Sequence, residues 1–98
     1  MKLFTLYIGA GTSGELASLL ARHFESFTLI QGQGFFHGVS EPVWMAKVAT
    51  ANPLQVIEAA EEIRVKFAQD GVGIEFASKY FRVTKTDSAS TLKELIYE

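Results

Sequence analysis

Two stretches of this chain carry a helix-start signature followed by apolar residues at helical spacing, and the residues around both are β-rich, which leaves few folds open. Thr12 and Glu15 form a capping-box pair, in which hydroxyl and carboxylate take up backbone amides that a first helical turn leaves without partners. Leu16, Leu19, Leu20 and Phe24 recur behind that pair and predict a helix over 14–24. Asn52 sets a capping side chain ahead of Pro53, Gln55 stands at the capping-box position, and Val56, Ile57, Ala60, Ile63 and Phe67 form an apolar stripe. Asp70-Gly71 is expected to stop this second helix.

Residues 2–9 are apolar on both alternating faces and read as a central strand. Residues 27–33 and 42–50 predict an antiparallel hairpin around a Gly-rich, Pro-punctuated stretch. Residues 72–84 form the last strand, with a bulge or bend expected near 77–79 where the alternation shifts, and 91–97 allow a short helix. The resulting order βαββαβ is that of an α+β, ferredoxin-like fold, an antiparallel sheet with both helices on one face. At 98 residues the expectation is one domain over 1–98.

Composition removes several function classes. A net charge of −2 and a pI near 5.7 do not suit a nucleic-acid binder, whose affinity rests on a basic face. With no cysteine and two histidines, neither a metal site nor a cofactor is expected. No apolar stretch reaches the ~20 residues that span a bilayer, and no signal-peptide pattern opens the sequence, so the expected location is the cytoplasm, away from membranes.

One face of an antiparallel sheet covered by helices on the other should be polar if it meets water. Here one face of 43–49 carries Val43, Met45 and Ala49 and the other Trp44, Ala46 and Val48, and the first strand is similarly two-sided. A second cover is needed, and in so small a chain the expected cover is another copy: a homo-oligomer.

Gly9-Ala10-Gly11-Thr12-Ser13-Gly14 matches GxGxxG between a strand and a helix. The acidic residue that dinucleotide binding requires about 20 residues on is missing, so the match reads as a tight turn whose amides could hold a carboxylate or phosphate. The segment 31–41 is more unusual, with three glycines, Gln33, the aromatic pair Phe35 and Phe36, His37 and a lone carboxylate, Glu41. Its structural reading is a twisted or bulged hairpin whose aromatics pack into an oligomer. Its functional reading is a ligand site in which the glycines, Gly34 among them, admit close backbone approach, Phe35 and Phe36 form an apolar wall and Glu41 supplies charge. Glu41 precedes Pro42 at the start of a strand expected to be central and buried. His37 reads as a solvated loop residue and His23 as a structural one near a helix C-terminus, while Glu58, Glu61, Glu62, Arg64 and Lys66 form the solvated face of the second helix. No Ser-His-Asp triad or catalytic carboxylate pair is visible.

Residues 5–9 (Thr-Leu-Tyr-Ile-Gly), Phe27-Thr28-Leu29 leading through Gly32 and Gly34 to the aromatic pair and Glu41, and Phe67-Ala68-Gln69-Asp70-Gly71-Val72 together resemble a group of small phage and prophage proteins. That group shares the trimeric architecture of the PII and CutA-type proteins and includes the phage S-adenosylmethionine lyases; the resemblance spans about residues 3–84. It implies a PII-like homotrimer binding a small adenosyl ligand in clefts between subunits near the hairpin. The implied reaction is internal attack by the substrate's own carboxylate on its γ-carbon, yielding methylthioadenosine and homoserine lactone. In a bacterial or phage-infected cell this would starve methylation-dependent restriction.

The resemblance places the family's essential glutamate at Glu41. Its hairpin tyrosine falls on Phe36, so a phenolic hydroxyl would have to come from Tyr7 or Tyr80. The implied substrate-binding set is Tyr7, Gln33, Gly34, Phe35, Phe36, His37, Trp44 and Tyr80. The alternative is a PII-like module that binds an adenine nucleotide without catalysis. The absence of Lys or Arg between Arg22 and Lys47 favours a cationic or weakly charged ligand over a triphosphate.

Overall fold

The computed structural model describes residues 1–85; the short helix expected over 91–97 lies outside them. The elements run β1 (Lys2–Ile8), α1 (Ser13–His23), β2 (Phe27–Phe36), β3 (Val39–Thr50), α2 (Pro53–Lys66), β4 (Gly71–Phe76) and β5 (Lys79–Thr84). All five strands form one antiparallel sheet in the order β2-β3-β1-β4-β5. Four of them reproduce the ferredoxin-like order, and β5 adds an edge.

Local chemistry accounts for the helices. At the start of α1 the Thr12 hydroxyl accepts from the Glu15 amide at 3.2 Å and the Glu15 carboxylate accepts from the Thr12 amide at 3.1 Å, the reciprocal cap expected from the spacing. At the start of α2 the Asn52 side chain accepts from the Leu54 amide, but Gln55 does not close a box. The Asn52 amide instead donates to the Thr50 hydroxyl, which donates on to Gln55 Oε1 at 2.5 Å. Helix α2 ends earlier than Asp70-Gly71. Ala68 takes a left-handed backbone (φ 52°), the Gln69 amide returns to the Arg64 carbonyl and the Ala68 amide to Val65, a Schellman closure made without glycine. Gly71 is thereby released to open β4.

The last strand expected over 72–84 is two strands. Ala77 and Ser78 both adopt positive φ (52° and 65°), a tight mirror-type turn that reverses the chain. Neither residue is a glycine or asparagine, so the usual turn signal is missing from the sequence. The Gly-rich stretch expected to link β2 and β3 is also mostly strand. Only His37 and Gly38, at φ 51° and 78°, form the turn.

The core lies between helices and sheet. Phe4, Leu6 and Ile8 of β1, Ala46 and Val48 of β3, and Val72 and Ile74 of β4 are buried against Leu16, Leu19 and Leu20 of α1 and Val56, Ala60 and Ile63 of α2. The strand alternation puts the other residues of each strand on an uncovered face. There Ile30, Met45 and Tyr7 form one row across β2, β3 and β1, and Thr28, Lys47, Thr5 and Glu75 form a polar row beside it. The uncovered face is therefore apolar in part rather than throughout. Trp44 belongs to the helix-covered face. Among the described residues no helix is long and apolar enough to cross a membrane.

An ionic clasp joins the helices. Glu62 of α2 takes Arg22 on one oxygen and has His23 Nε2 at 2.7 Å from the other. His23 first and Arg22 second hold the Glu62 carboxyl below its usual range. A carboxylate depressed on folding contributes stability above its unfolded pKa, ~4.3, and loses it as pH falls through the lower folded value. Glu62→Gln is expected to lower the neutral-pH stability by about 1 kcal/mol or less, because the pair is partly solvated, and to make acid denaturation less steep. Thermal melts at pH 7 and pH 3 check this, and parallel acid profiles for the two proteins would contradict it.

Candidate functional site

The hairpin β2–β3 outruns the rest of the sheet. Strand β1 stops pairing with β3 at Ile8 and Trp44, whereas β2 and β3 continue together from Gly32 and Val43 to Phe36 and Val39. The five pairs beyond β1 form a two-stranded arm. Phe35, Phe36 and Val39 on it are 71%, 69% and 67% exposed, a large apolar surface for a ribbon that a two-stranded hairpin cannot stabilise alone.

Glu41 lies on this arm and is exposed in the chain by itself, not buried in a central strand as the sequence suggested, because β1 ends before it and β2 alone pairs with it. It borders two clefts that meet at the end of β1. On the helix side, a cleft of about 600 Å³ is walled by the turn at 9–13, Gln31, Glu41, Pro42 and Trp44. On the uncovered side, a cleft of about 580 Å³ runs from the arm to β5 and is lined by Gly34, Phe35, Phe36, Glu41 and Tyr80, together with Asp70 and Arg82.

The second cleft thus brings together residues that the sequence spreads over 34–80. Of the remaining expected site residues, Tyr7 stands beside Tyr80, with ring centroids 6.1 Å apart, but its hydroxyl donates to Glu75 Oε1 at 2.7 Å. That hydrogen bond, followed by burial and the carboxylate's charge, raises the Tyr7 pKa. Tyr7 is held as a neutral donor, and of the two candidate phenols Tyr80 lines the cleft. Gln33 spends its amide on the Ser40 hydroxyl across the arm, and His37 sits in the turn with its ring edge-on to Phe36, centroids 4.3 Å apart. Neither lines either cleft.

Trp44 reaches the helix-side cleft, but its indole N–H donates to the Gly11 carbonyl at 3.1 Å. That contact ties β3 to the GxGxxG turn. Gly11 has φ 89°, and a side chain there would meet the Phe67 ring at 3.0 Å, so this glycine serves the turn and its packing.

Sequence reasoning missed Arg82 and Asp70. Both are far from the hairpin in sequence, and only the register of β4 and β5 brings them to it. One signal was available: Gly71 and Gly73 are two residues apart in a β-rich run, where glycine marks a close approach by something else. A Cβ on Gly73 would overlap the Tyr80 ring, and one on Gly71 would stand 2.8 Å from Arg82 Nη2.

No profile of a known protein family matches the chain, and no curated protein sequence matches it. Among solved structures it is similar to a phage SAM lyase in the apo state, with a TM-score of 0.64 over 87% of this chain and 90% of that one, at 13% sequence identity. At that identity the likeness shows a shared fold alone, and the antiparallel α+β sheet with two helices in this chain is compatible with the ferredoxin-like reading of the sequence, with a fifth strand that the reading did not expect.

Proposed function

We propose that the protein is a lyase acting on S-adenosylmethionine or an adenylated relative, working as a homotrimer in the cytoplasm with its ligand in clefts beside the arm. The observation that carries this reading is the convergence of Glu41, Phe35, Phe36 and Tyr80 on one cleft, in a fold shared with a phage SAM lyase. The exposed aromatics supply faces for an adenine ring, and the carboxylate supplies a partner for positive charge. A neighbouring subunit seated against the arm would close the cleft and bury those aromatics.

The reaction asks little of the protein. The substrate carboxylate forms a bond to its own γ-carbon as the γ-carbon to sulfur bond breaks, with the bonding pair passing to sulfur. The products are a lactone and a neutral thioether, the two opposite charges disappear together, and no proton is transferred. Folding the substrate so that carboxylate and γ-carbon are in line supplies the acceleration, since well-oriented intramolecular reactions reach effective molarities of about 10⁵ M or more. In this scheme Glu41 anchors the cation or the amino group and is not a general base.

A second reading, a trimeric adenine-nucleotide-binding module without catalysis, is favoured by Phe36, the position at which the resemblance would put the lyases' tyrosine. Incubation of the pure protein with S-adenosylmethionine separates the two. Methylthioadenosine accumulating in multiple turnovers is the expected result. Tight binding of unchanged ligand selects the module, and neither turnover nor binding overturns both.

A further inference from the structure

The uncovered sheet face carries two opposite charges that belong to no ion pair among the described residues, Lys47 and Glu75. Strand register sets Lys47 of β3 opposite Thr5 of β1, and Thr5 opposite Glu75 of β4. Neighbouring strands run ~4.8 Å apart, so the two charged residues stand roughly 10 Å from each other with Thr5 between them. The Lys47 ammonium donates to the Thr5 hydroxyl at a long 3.4 Å. Glu75 accepts from the Tyr7 phenol at 2.7 Å, a neutral donor that leaves the charge of the carboxylate uncompensated. Both charged residues are exposed in the single chain.

Apolar groups flank this polar row on both sides. Ile30, Met45 and Tyr7 form the row on one side, and Tyr80, whose own position is opposite Glu75, leans into it across Gly73, where an added Cβ would overlap its ring. On the other side stand Ala49 and the exposed Leu3. Successive rows on one face of a sheet are only ~7 Å apart, so a surface that buries the apolar row covers the charges as well. A charge buried without a partner is strongly destabilising, and within the chain these two do not meet: the ammonium stops at Thr5 and the carboxylate turns to Tyr7. Resting on the trimer of the reading above, we propose that the partner of this face is a second copy of the chain, with Glu75 of one subunit paired to Lys47 of the next.

The surroundings of Lys47 can receive a carboxylate. Leu3, Thr5, Thr28, Lys47 and Ala49 line a cleft of about 350 Å³, in which an ammonium and two hydroxyls are available as donors beside aliphatic groups. A closed ring of copies satisfies every charge, because each chain brings one of each sign. The same two residues reject other arrangements. A copy turned so that Lys47 meets Lys47 sets like charges together, and so does one that sets Glu75 against Glu75. The apolar rows supply the adhesion, and the charge pair selects the register and direction in which copies meet.

The test is assembly of the full chain and its charge variants, followed by analytical ultracentrifugation over a dilution series. Lys47→Glu and Glu75→Lys are each expected to raise the concentration needed for half-assembly by on the order of a hundredfold or more, and the double reversal to return it to within roughly tenfold of the parent. Circular dichroism identifies the variants that keep the fold of the chain. A neutral set repeats the test without reversed charge. Lys47→Met or Glu75→Gln alone should weaken assembly, and the two together should do no worse than either, since removing both partners leaves no unpaired charge. Folded single variants that assemble like the parent, or a folded double reversal as weak as the singles, overturn the pairing of Lys47 with Glu75 while leaving the trimer standing. A parent that sediments as a single chain at micromolar concentration overturns both.

Discussion

Replacing Glu41 by glutamine is expected to cut turnover of S-adenosylmethionine by roughly ten- to a hundredfold while leaving the oligomer intact. The substitution keeps the shape of the side chain and removes its charge, and one charge-assisted contact is worth ~1.5–3 kcal/mol. Glu41 is on the arm beyond the end of β1 and is exposed in the chain, so its neutralisation leaves the core untouched. Initial rates of methylthioadenosine release, with light scattering on the same samples, read both arms of the prediction. Dissociation of the oligomer on neutralising Glu41 would make it a structural residue, and unchanged assembly with unchanged ligand handling would remove the arm from the active cleft.

The second large effect concerns assembly. Light scattering at micromolar concentration is expected to give about three times the chain mass of 10.8 kDa. Met45→Asp is expected to collapse that value to the mass of a single chain. Met45 sits in the middle of the uncovered face, between Ile30 and Tyr7, and an unpaired carboxylate buried there between chains costs several kcal/mol. Its side chain points away from the helix-covered core, so the far-ultraviolet circular dichroism of the variant should match that of the parent. A parent mass of 10.8 kDa would overturn the trimer. Trp44 makes an instructive contrast. It lies on the other face of the same strand with its indole bonded to the Gly11 carbonyl, so Trp44→Asp should damage the fold of each chain before it damages any assembly.

How much of this was legible in the residues depended on range. The α1 cap was readable because hydroxyl and carboxylate three residues apart satisfy each other's amides wherever they occur. The two faces of β3 were readable because side chains in a strand alternate whatever their surroundings. The end of α2 and the β4–β5 turn were not, since Ala68, Ala77 and Ser78 take left-handed conformations that their own preferences oppose. Such positions persist only where the rest of the fold holds them.

The candidate site divides along the same line. Phe35, Phe36 and Glu41 stood out because they share a short glycine-rich segment, and their clustering is local. The exposure of Glu41 was misjudged, because whether a strand is central depends on how far its neighbour extends, and β1 ends at Ile8, level with Trp44. Tyr80 entered the expected set only through resemblance, and Arg82 did not enter it at all. What brings both to the arm is the pairing of β4 with β1 and β5, a register set between segments distant in sequence. The sequence alone therefore determined both helices, the first three strands, the α1 cap and the chemistry of the hairpin, each of which follows from interactions within a few residues. The tertiary structure decided which side chains share a cleft, because that depends on strand register, and register is selected by burying one whole sheet face against two helices at once.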